Sequence, residues 1–208
     1  MMTLHTLKPR FQSLLRPAVR ALHGAGVSAN QVTVSTCVVS VLLGAGLAVA
    51  ADAGQLQWFL LLPLWCLLRM ALNAIDGLLA REFGQSSTLG AYLNELSDLV
   101  ADAALYLPFA LLSEAASVAT LLVIFLSNLA EVAGLLGIVA GSDRRNDGPM
   151  GKSDRALVFG LLGLLLGAGI APGAWLPVVL TIVALLLLPT IVNRVRHGIA
   201  QGGGHTDQ

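Results

Sequence analysis

Charge is what this chain has least of. Asp, Glu, Lys and Arg make up 12% of its 208 residues, about half of the roughly 25% usual in a soluble domain. A disordered chain is excluded, because disorder needs low hydrophobicity and high net charge. Neither sign is in excess either, since 12 Lys+Arg face 12 Asp+Glu. The basic surface on which nucleic-acid binding rests is therefore missing, and no nucleic-acid partner is expected. Cysteine is nearly absent. Cys37 and Cys66 each sit inside an apolar stretch, and neither a CxxC pair nor a Cys/His metal spacing exists. Both are expected to be packing residues.

What is abundant is apolar. Hydrophobic residues reach 56% and the mean hydropathy is +0.79. They come in blocks of about twenty, the length of helix that spans a bilayer core. The expected fold is all-α: a polytopic membrane protein with six transmembrane helices near residues 32–51, 56–79, 89–112, 116–140, 156–171 and 174–193. No internal repeat is visible. The expected organisation is an amphipathic helix over 1–24, a six-helix membrane domain over 25–197 and a disordered tail over 198–208. The fifth span is short, and its Gly160, Gly163 and Gly167 recur near helical spacing. Such a stripe lets another helix approach closely, either inside one bundle or across a homodimer.

The first thirty residues lack the continuous apolar region and cleavage site of a signal peptide. Instead Leu4, Leu7, Phe11, Leu14, Ala18 and Leu22 step by three or four, with Lys8, Arg10, Arg16 and Arg20 between them. This reads as a basic amphipathic helix lying on an anionic membrane surface, kinked at Pro17. Ser28 or Asn30 can cap the first span. Basic residues also set the orientation. They precede span 1, follow span 2 (Arg81), fill the segment between spans 4 and 5 (Arg144, Arg145, Lys152, Arg155) and follow span 6 (Arg194, Arg196). The opposite loops carry Asp52 and Glu114 and no Lys or Arg. The positive-inside rule then places both termini in the cytoplasm. The expected location is a bacterial inner membrane, with the site facing the cytoplasm.

Charges inside the spans are the informative exceptions, at about 2.5–3.5 kcal/mol each on insertion scales. Arg69 and Asp76 fall in span 2, Glu95, Asp98 and Asp102 in span 3, and Glu131 in span 4. At 100° per residue, Arg69, Asn73, Asp76, Gly77 and Ala80 share one helix face. Asn94, Glu95, Asp98 and Asp102 share another. Their carboxylate and amide oxygens suit a hard cation such as Mg²⁺. Gly77, Ala80 and Gly90 keep the walls small, and Arg81 supplies a guanidinium for phosphate. Asn128 and Glu131 lie one turn apart in span 4, either lining a pocket or pairing between helices.

The run Asn73-x2-Asp76-Gly77-x2-Ala80-Arg81-x8-Gly90-x3-Asn94-x3-Asp98 resembles the signature of the CDP-alcohol phosphotransferases, D-x2-D-G-x2-A-R-x8-G-x3-D-x3-D. Every spacing matches, and six of the eight signature residues match in kind; the first and third aspartates are Asn73 and Asn94. The six-span layout and the N-terminal surface helix are similar to the family too. The resemblance implies that Asn73, Asp76, Asn94 and Asp98 hold divalent metal, Mg²⁺ or Mn²⁺, and that Asp98 is the general base. It implies a CDP-lipid site made by Asn30, Gln31, Val32, Thr33, Gly77, Ala80, Arg81, Ser87 and Gly90. It implies an acceptor side at residues 148–155, with Lys152, Arg144, Arg145 and Arg155.

The activity implied is transfer of a substituted phosphate group from a CDP-linked lipid, CDP-diacylglycerol, to a polar alcohol, with release of CMP, in phospholipid biosynthesis. Two amides in place of two carboxylates remove charge from a metal pair. Three outcomes follow: one tight metal, restored charge from Glu95 and Asp102, or a non-catalytic relative that binds lipid or nucleotide. Outside the family, an intramembrane prenyltransferase or a cation transporter would also place acids in spans.

Overall fold

The computed structural model describes residues 4–202, with side chains from residue 11 onward. Lys8 and Arg10 of the expected basic face, and the last six residues of the expected tail, therefore lie outside what is described. Among the described residues there are seven α-helices and no strand: α1 (Leu4–Gly24), α2 (Ala29–Asp52), α3 (Leu61–Glu82), α4 (Thr88–Tyr106), α5 (Glu114–Val139), α6 (Lys152–Gly167) and α7 (Trp175–Gly202). Short 3₁₀ segments, Leu56–Leu60 and Leu107–Leu111, precede α3 and follow α4.

Four stretches are long and apolar enough to cross a membrane: Ala29–Asp52, Leu56–Glu82, Glu114–Val139 and Trp175–Gly202. The protein is thus an all-α polytopic membrane protein. The other two expected spans fall short for separate reasons. Helix α6 has only 16 residues, about 24 Å at 1.5 Å per residue. Helix α4 spends Glu95, Asp98 and Asp102 within its 19 residues, which lowers its apolarity below that of a lipid-facing span. Helix α7 runs to Gly202, beyond position 198, where a disordered tail was expected to begin. Helix α1 is continuous through Pro17.

The chain divides into two compact units, residues 1–43 with 64–101 and residues 44–63 with 102–208. In the first, α1 docks through Val19, which is buried with Ala29, Val32, Ile75, Leu78 and Leu79, while Leu15 and Leu22 pack against that cluster. The neighbouring face of α1 leaves Phe11 and Leu14 exposed, as a helix with one stripe on protein and another toward lipid requires. Ser28 and Gln31 start α2 reciprocally. The Gln31 amide donates to Ser28 Oγ at 3.2 Å, and the Ser28 amide donates to Gln31 Oε1 at 2.9 Å, a capping box. Deeper along α2, Ser40 Oγ accepts from Trp65 Nε1 at 2.9 Å.

In the second unit, small residues decide the packing, as expected where lipid removes the hydrophobic drive between helices. An added Cβ on Gly160, Gly163 or Gly167 would meet Pro63, Phe59 with Leu62, or Leu60, respectively. The glycine stripe therefore serves packing within the chain. Around it, Tyr106 stacks on Phe159 at 3.7 Å between centroids, and Phe109 meets Phe59 and Phe159 edge-on at 5.3 and 5.2 Å. The loop from α5 to α6 is pinned. The Arg145 amide donates to Gly134 O at 3.1 Å, and the Met150 amide donates to Thr190 Oγ1 at 3.1 Å. Gly148, at φ 122°, sits where a Cβ would overlap Thr190.

Candidate active site

Within the first unit a cavity of about 320 Å³ opens between the start of α2, the end of α3 and the start of α4. Seven of the eight signature positions line it: Asn73, Asp76, Gly77, Ala80, Arg81, Gly90 and Asn94. Helical spacing explains the gathering. Residues three and four apart share a helix face, so 73, 76, 77, 80 and 81 come from one side of α3, and 90 and 94 from one side of α4.

The two glycines are small for specific neighbours. A Cβ on Gly77 would come 3.1 Å from Arg81 Nη1, so the guanidinium folds over a position that a side chain would fill. A Cβ on Gly90 would come 2.8 Å from Asn30 Oδ1 and 3.0 Å from Ser87 Oγ. Arg81 itself is exposed. Inside the cavity, Asp76 is buried, and its Oδ2 accepts from Thr33 Oγ1 at 2.8 Å; the same hydroxyl lies 3.1 Å from Ala29 O.

The expected CDP-lipid residues divide. Asn30, Thr33, Gly77, Ala80, Arg81, Ser87 and Gly90 line the cavity; Gln31 and Val32 do not. The reason is again periodicity. Positions 30 and 33 fall on one face of α2, which turns Gln31 to the cap at Ser28 and Val32 into the cluster with Val19 and Leu79. The cavity also holds Gln85 and Ser86, which sequence reasoning passed over. Gln85 Oε1 accepts from the Ala29 amide at 2.7 Å, and Ser86 Oγ donates to Ala80 O at 2.9 Å. The polar run of residues 85–87 was the available signal, though it marked Ser87 alone.

Asp98, the eighth signature position, is not among the lining residues. Its Oδ1 accepts from Arg69 Nη2 at 3.0 Å and from Asn73 Nδ2 at 3.2 Å. Arg69 Nη2 also lies 3.3 Å from Asp98 O. A hard divalent pair is held by clustered anionic oxygens. Here one signature amide turns its NH₂ group to the carboxylate with which it would share an ion, and a buried guanidinium takes the same oxygen. Among the described residues no three His, Cys, Asp or Glu side chains gather so as to hold a metal. The residues present do not fit a metal pair. The residues that would hold a single cation are Asp76 and the amide side chains that line the cavity.

The basic segment expected on the acceptor side lies in the second unit, and two of its charges, Arg144 and Arg155, turn onto Glu131. Glu131, 6% exposed, receives Arg155 Nη2 at 2.8 Å, Arg144 Nη2 at 3.2 Å and Arg194 Nη1 at 3.3 Å. Arg155 and Arg194 are 0% and 1% exposed. Asp102 Oδ2 adds a second carboxylate 3.5 Å from Arg155 Nη2, so Asp102 belongs to this cluster. Of the two readings open for Glu131, pairing between helices is the one observed. Arg194, read from sequence as topogenic charge, is part of the core. Arg145 forks onto Asp147 through Nε at 2.8 Å and Nη2 at 3.0 Å. That fork, helped by His197 at 3.1 Å, holds the Asp147 carboxyl down to about 2 against the opposing effect of burial. Lys152 opens α6.

The chain's likenesses to known proteins bear on its family and fold. The description of the CDP-alcohol phosphatidyltransferase family matches residues 27–190. The inner membrane protein YnbA of Escherichia coli (strain K12) is 46% identical over 195 residues, covering 94% of this chain and 96% of YnbA. Crystal structures of Mycobacterium tuberculosis phosphatidylinositol phosphate synthase (PgsA1) superpose with TM-scores of 0.73 for the form with CDP-DAG bound and 0.72 for the complex with manganese and citrate. Each is 21% identical and covers 92% of this chain, against 96% and 91% of the solved chains. At that identity the solved structures speak for the fold. With the signature spacing and a match across residues 27–190, the chain belongs to the CDP-alcohol phosphatidyltransferase family.

Proposed function

We propose that this protein transfers a phosphatidyl group from a CDP-linked lipid, CDP-diacylglycerol, to a polar alcohol, releasing CMP. One observation carries the reading: seven signature residues line a single cavity of about 320 Å³. That the relative PgsA1 is described with CDP-DAG bound supports the choice of lipid.

Each role follows from chemistry. The small walls at Gly77 and Gly90 admit the nucleotide close to the backbone, with Asn30, Ser87 and Gln85 as polar partners. Arg81 neutralises the pyrophosphate as charge moves onto the departing CMP; positioning and electrostatics of this kind carry most phosphoryl transfer. The alcohol oxygen forms a bond to the lipid-side phosphorus while the bond from that phosphorus to CMP breaks. The hydroxyl proton passes to Asp98, whose carboxylate is oriented through Oδ1 by Arg69 and Asn73. Asp76 would hold a single Mg²⁺ or Mn²⁺, which would supply positive charge opposite the pyrophosphate. The acceptor side is assigned to residues 148–155 with Arg144 and Arg145, on the family resemblance. The membrane arrangement proposed is six crossings, with α4 and α6 as the two short ones, both termini and the cavity on the cytoplasmic side. The membrane proposed is the inner membrane named for YnbA.

Incubating the purified protein with CDP-diacylglycerol and a pool of polar alcohols tests this. CMP together with a new phospholipid is the expected result, and the product identifies the acceptor. Saturable CDP-diacylglycerol binding without CMP would favour a second reading, a non-catalytic lipid-nucleotide binder. The two amides and the engaged Asp98 favour that reading over any other alternative.

A further inference from the structure

We infer that Arg69 is a built-in cation for Asp98, taking the place of one metal ion, and that the site therefore assembles no metal pair. Arg69 is 6% exposed, and a guanidinium stays protonated throughout the accessible pH range. A buried permanent charge needs an anion beside it, and the geometry supplies Asp98 at 3.0 Å. Arg69 and Asn73 stand four residues apart on one face of α3, so the guanidinium and the amide NH₂ converge on the same oxygen, Asp98 Oδ1.

The two features are coupled. A carboxylate at position 73 would repel Asp98 at this distance unless a cation lay between them. An amide makes the contact a hydrogen bond. A dication placed at Asp98 Oδ1 would instead confront a fixed guanidinium of like sign. The charge arithmetic points the same way. At the four signature positions Asp76 and Asp98 bring two negative charges where four aspartates would bring four, and Arg69 offsets one of the two. A pair of dications has too few anions among these signature positions. By anchoring Asp98 through one oxygen, Arg69 acts as a positioning residue for the proposed base. The inference rests on the transfer reading for that last point alone; the metal count stands on the geometry.

The test is Mn²⁺ binding to the purified full chain in detergent, followed by the electron paramagnetic resonance signal of free Mn²⁺. Wild type should bind no more than one ion per chain, and Arg69→Lys should do the same. Asn73→Asp/Asn94→Asp with Arg69 intact should tighten binding of one ion without adding a second. Arg69→Met/Asn73→Asp/Asn94→Asp should bind two. Two ions on wild type, or two on the double variant that keeps Arg69, would overturn the inference. If the triple variant does not fold, those two proteins still decide. CMP release is measured on the same samples. Its absence throughout would defeat the transfer reading while leaving the ion count to stand or fall by itself.

Discussion

Glu131→Gln probes the buried charge cluster most directly. The substitution keeps the volume and one acceptor oxygen but removes the carboxylate shared by three guanidiniums. Arg144, with its side chain 31% exposed, can turn to water, and its loss is worth about 1 kcal/mol or less. Arg155 and Arg194, at 0% and 1% exposure, have no such escape. Arg155 keeps Met150 O at 3.3 Å and the 3.5 Å contact to Asp102, and Arg194 keeps Ala130 O at 2.6 Å. Removing one partner of a buried pair costs about 3–5 kcal/mol, a large share of a total near 5–15 kcal/mol. At about 2–4 °C per kcal/mol for a chain of this size, Tm should fall on the order of 10 °C. Thermal unfolding in detergent, followed by tryptophan fluorescence, reads it. The comparison is Asp147→Asn, which breaks a partly exposed fork and should cost less, about 1–2 kcal/mol. Adding Arg155→Met to Glu131→Gln should recover part of the loss, because the stranded cation is its source. A Glu131→Gln shift no larger than that of Asp147→Asn would refute the reasoning.

Three other outcomes are expected. Asp98→Asn should lower CMP release at least about a hundredfold, the usual contribution of a general base, with a much smaller change in CDP-diacylglycerol binding; near-normal release would reassign the base. Asp102 is a poor control for it, since Asp102 serves the buried Arg155. Asp147 has its pKa lowered from 3.8 to about 2 in the folded chain, so its contribution is complete above the unfolded value and lost as pH falls through about 2. The Tm gap between wild type and Asp147→Asn should therefore hold steady above about pH 4 and close toward pH 2, and a gap that persists at pH 2 would contradict the assigned fork. Reporter fusions after Gln55 and Gly173 should both report the external side; a cytoplasmic signal from either would remove the six-crossing topology.

The apolar blocks and the signature were legible in the order of residues alone, because both depend on local spacing. Periodicity put residues 73, 76, 77, 80 and 81 on one face of a helix before any neighbour was known, and the same arithmetic brings seven signature positions to one cavity. Helix length was also local, although α4 and α6 show that apolar run and helix end part company at Pro108 and at a 16-residue helix. Which partner each charge takes was not legible, since a side chain's partner depends on what folds against it from far along the chain. Arg155 and Arg194 read as loop charge that orients the protein, yet they are buried on Glu131, 24 and 63 positions away in sequence. Gln31 and Val32 looked equal to Asn30 and Thr33 until the rotation of α2 against its neighbours separated cap and core from cavity. Arg69 was visible as an anomalous cation, and Asn73 as a departure from the signature. Only the packing of α3 against α4 joins them at Asp98 Oδ1, because a buried guanidinium must find an anion and tertiary structure alone decides which one it reaches.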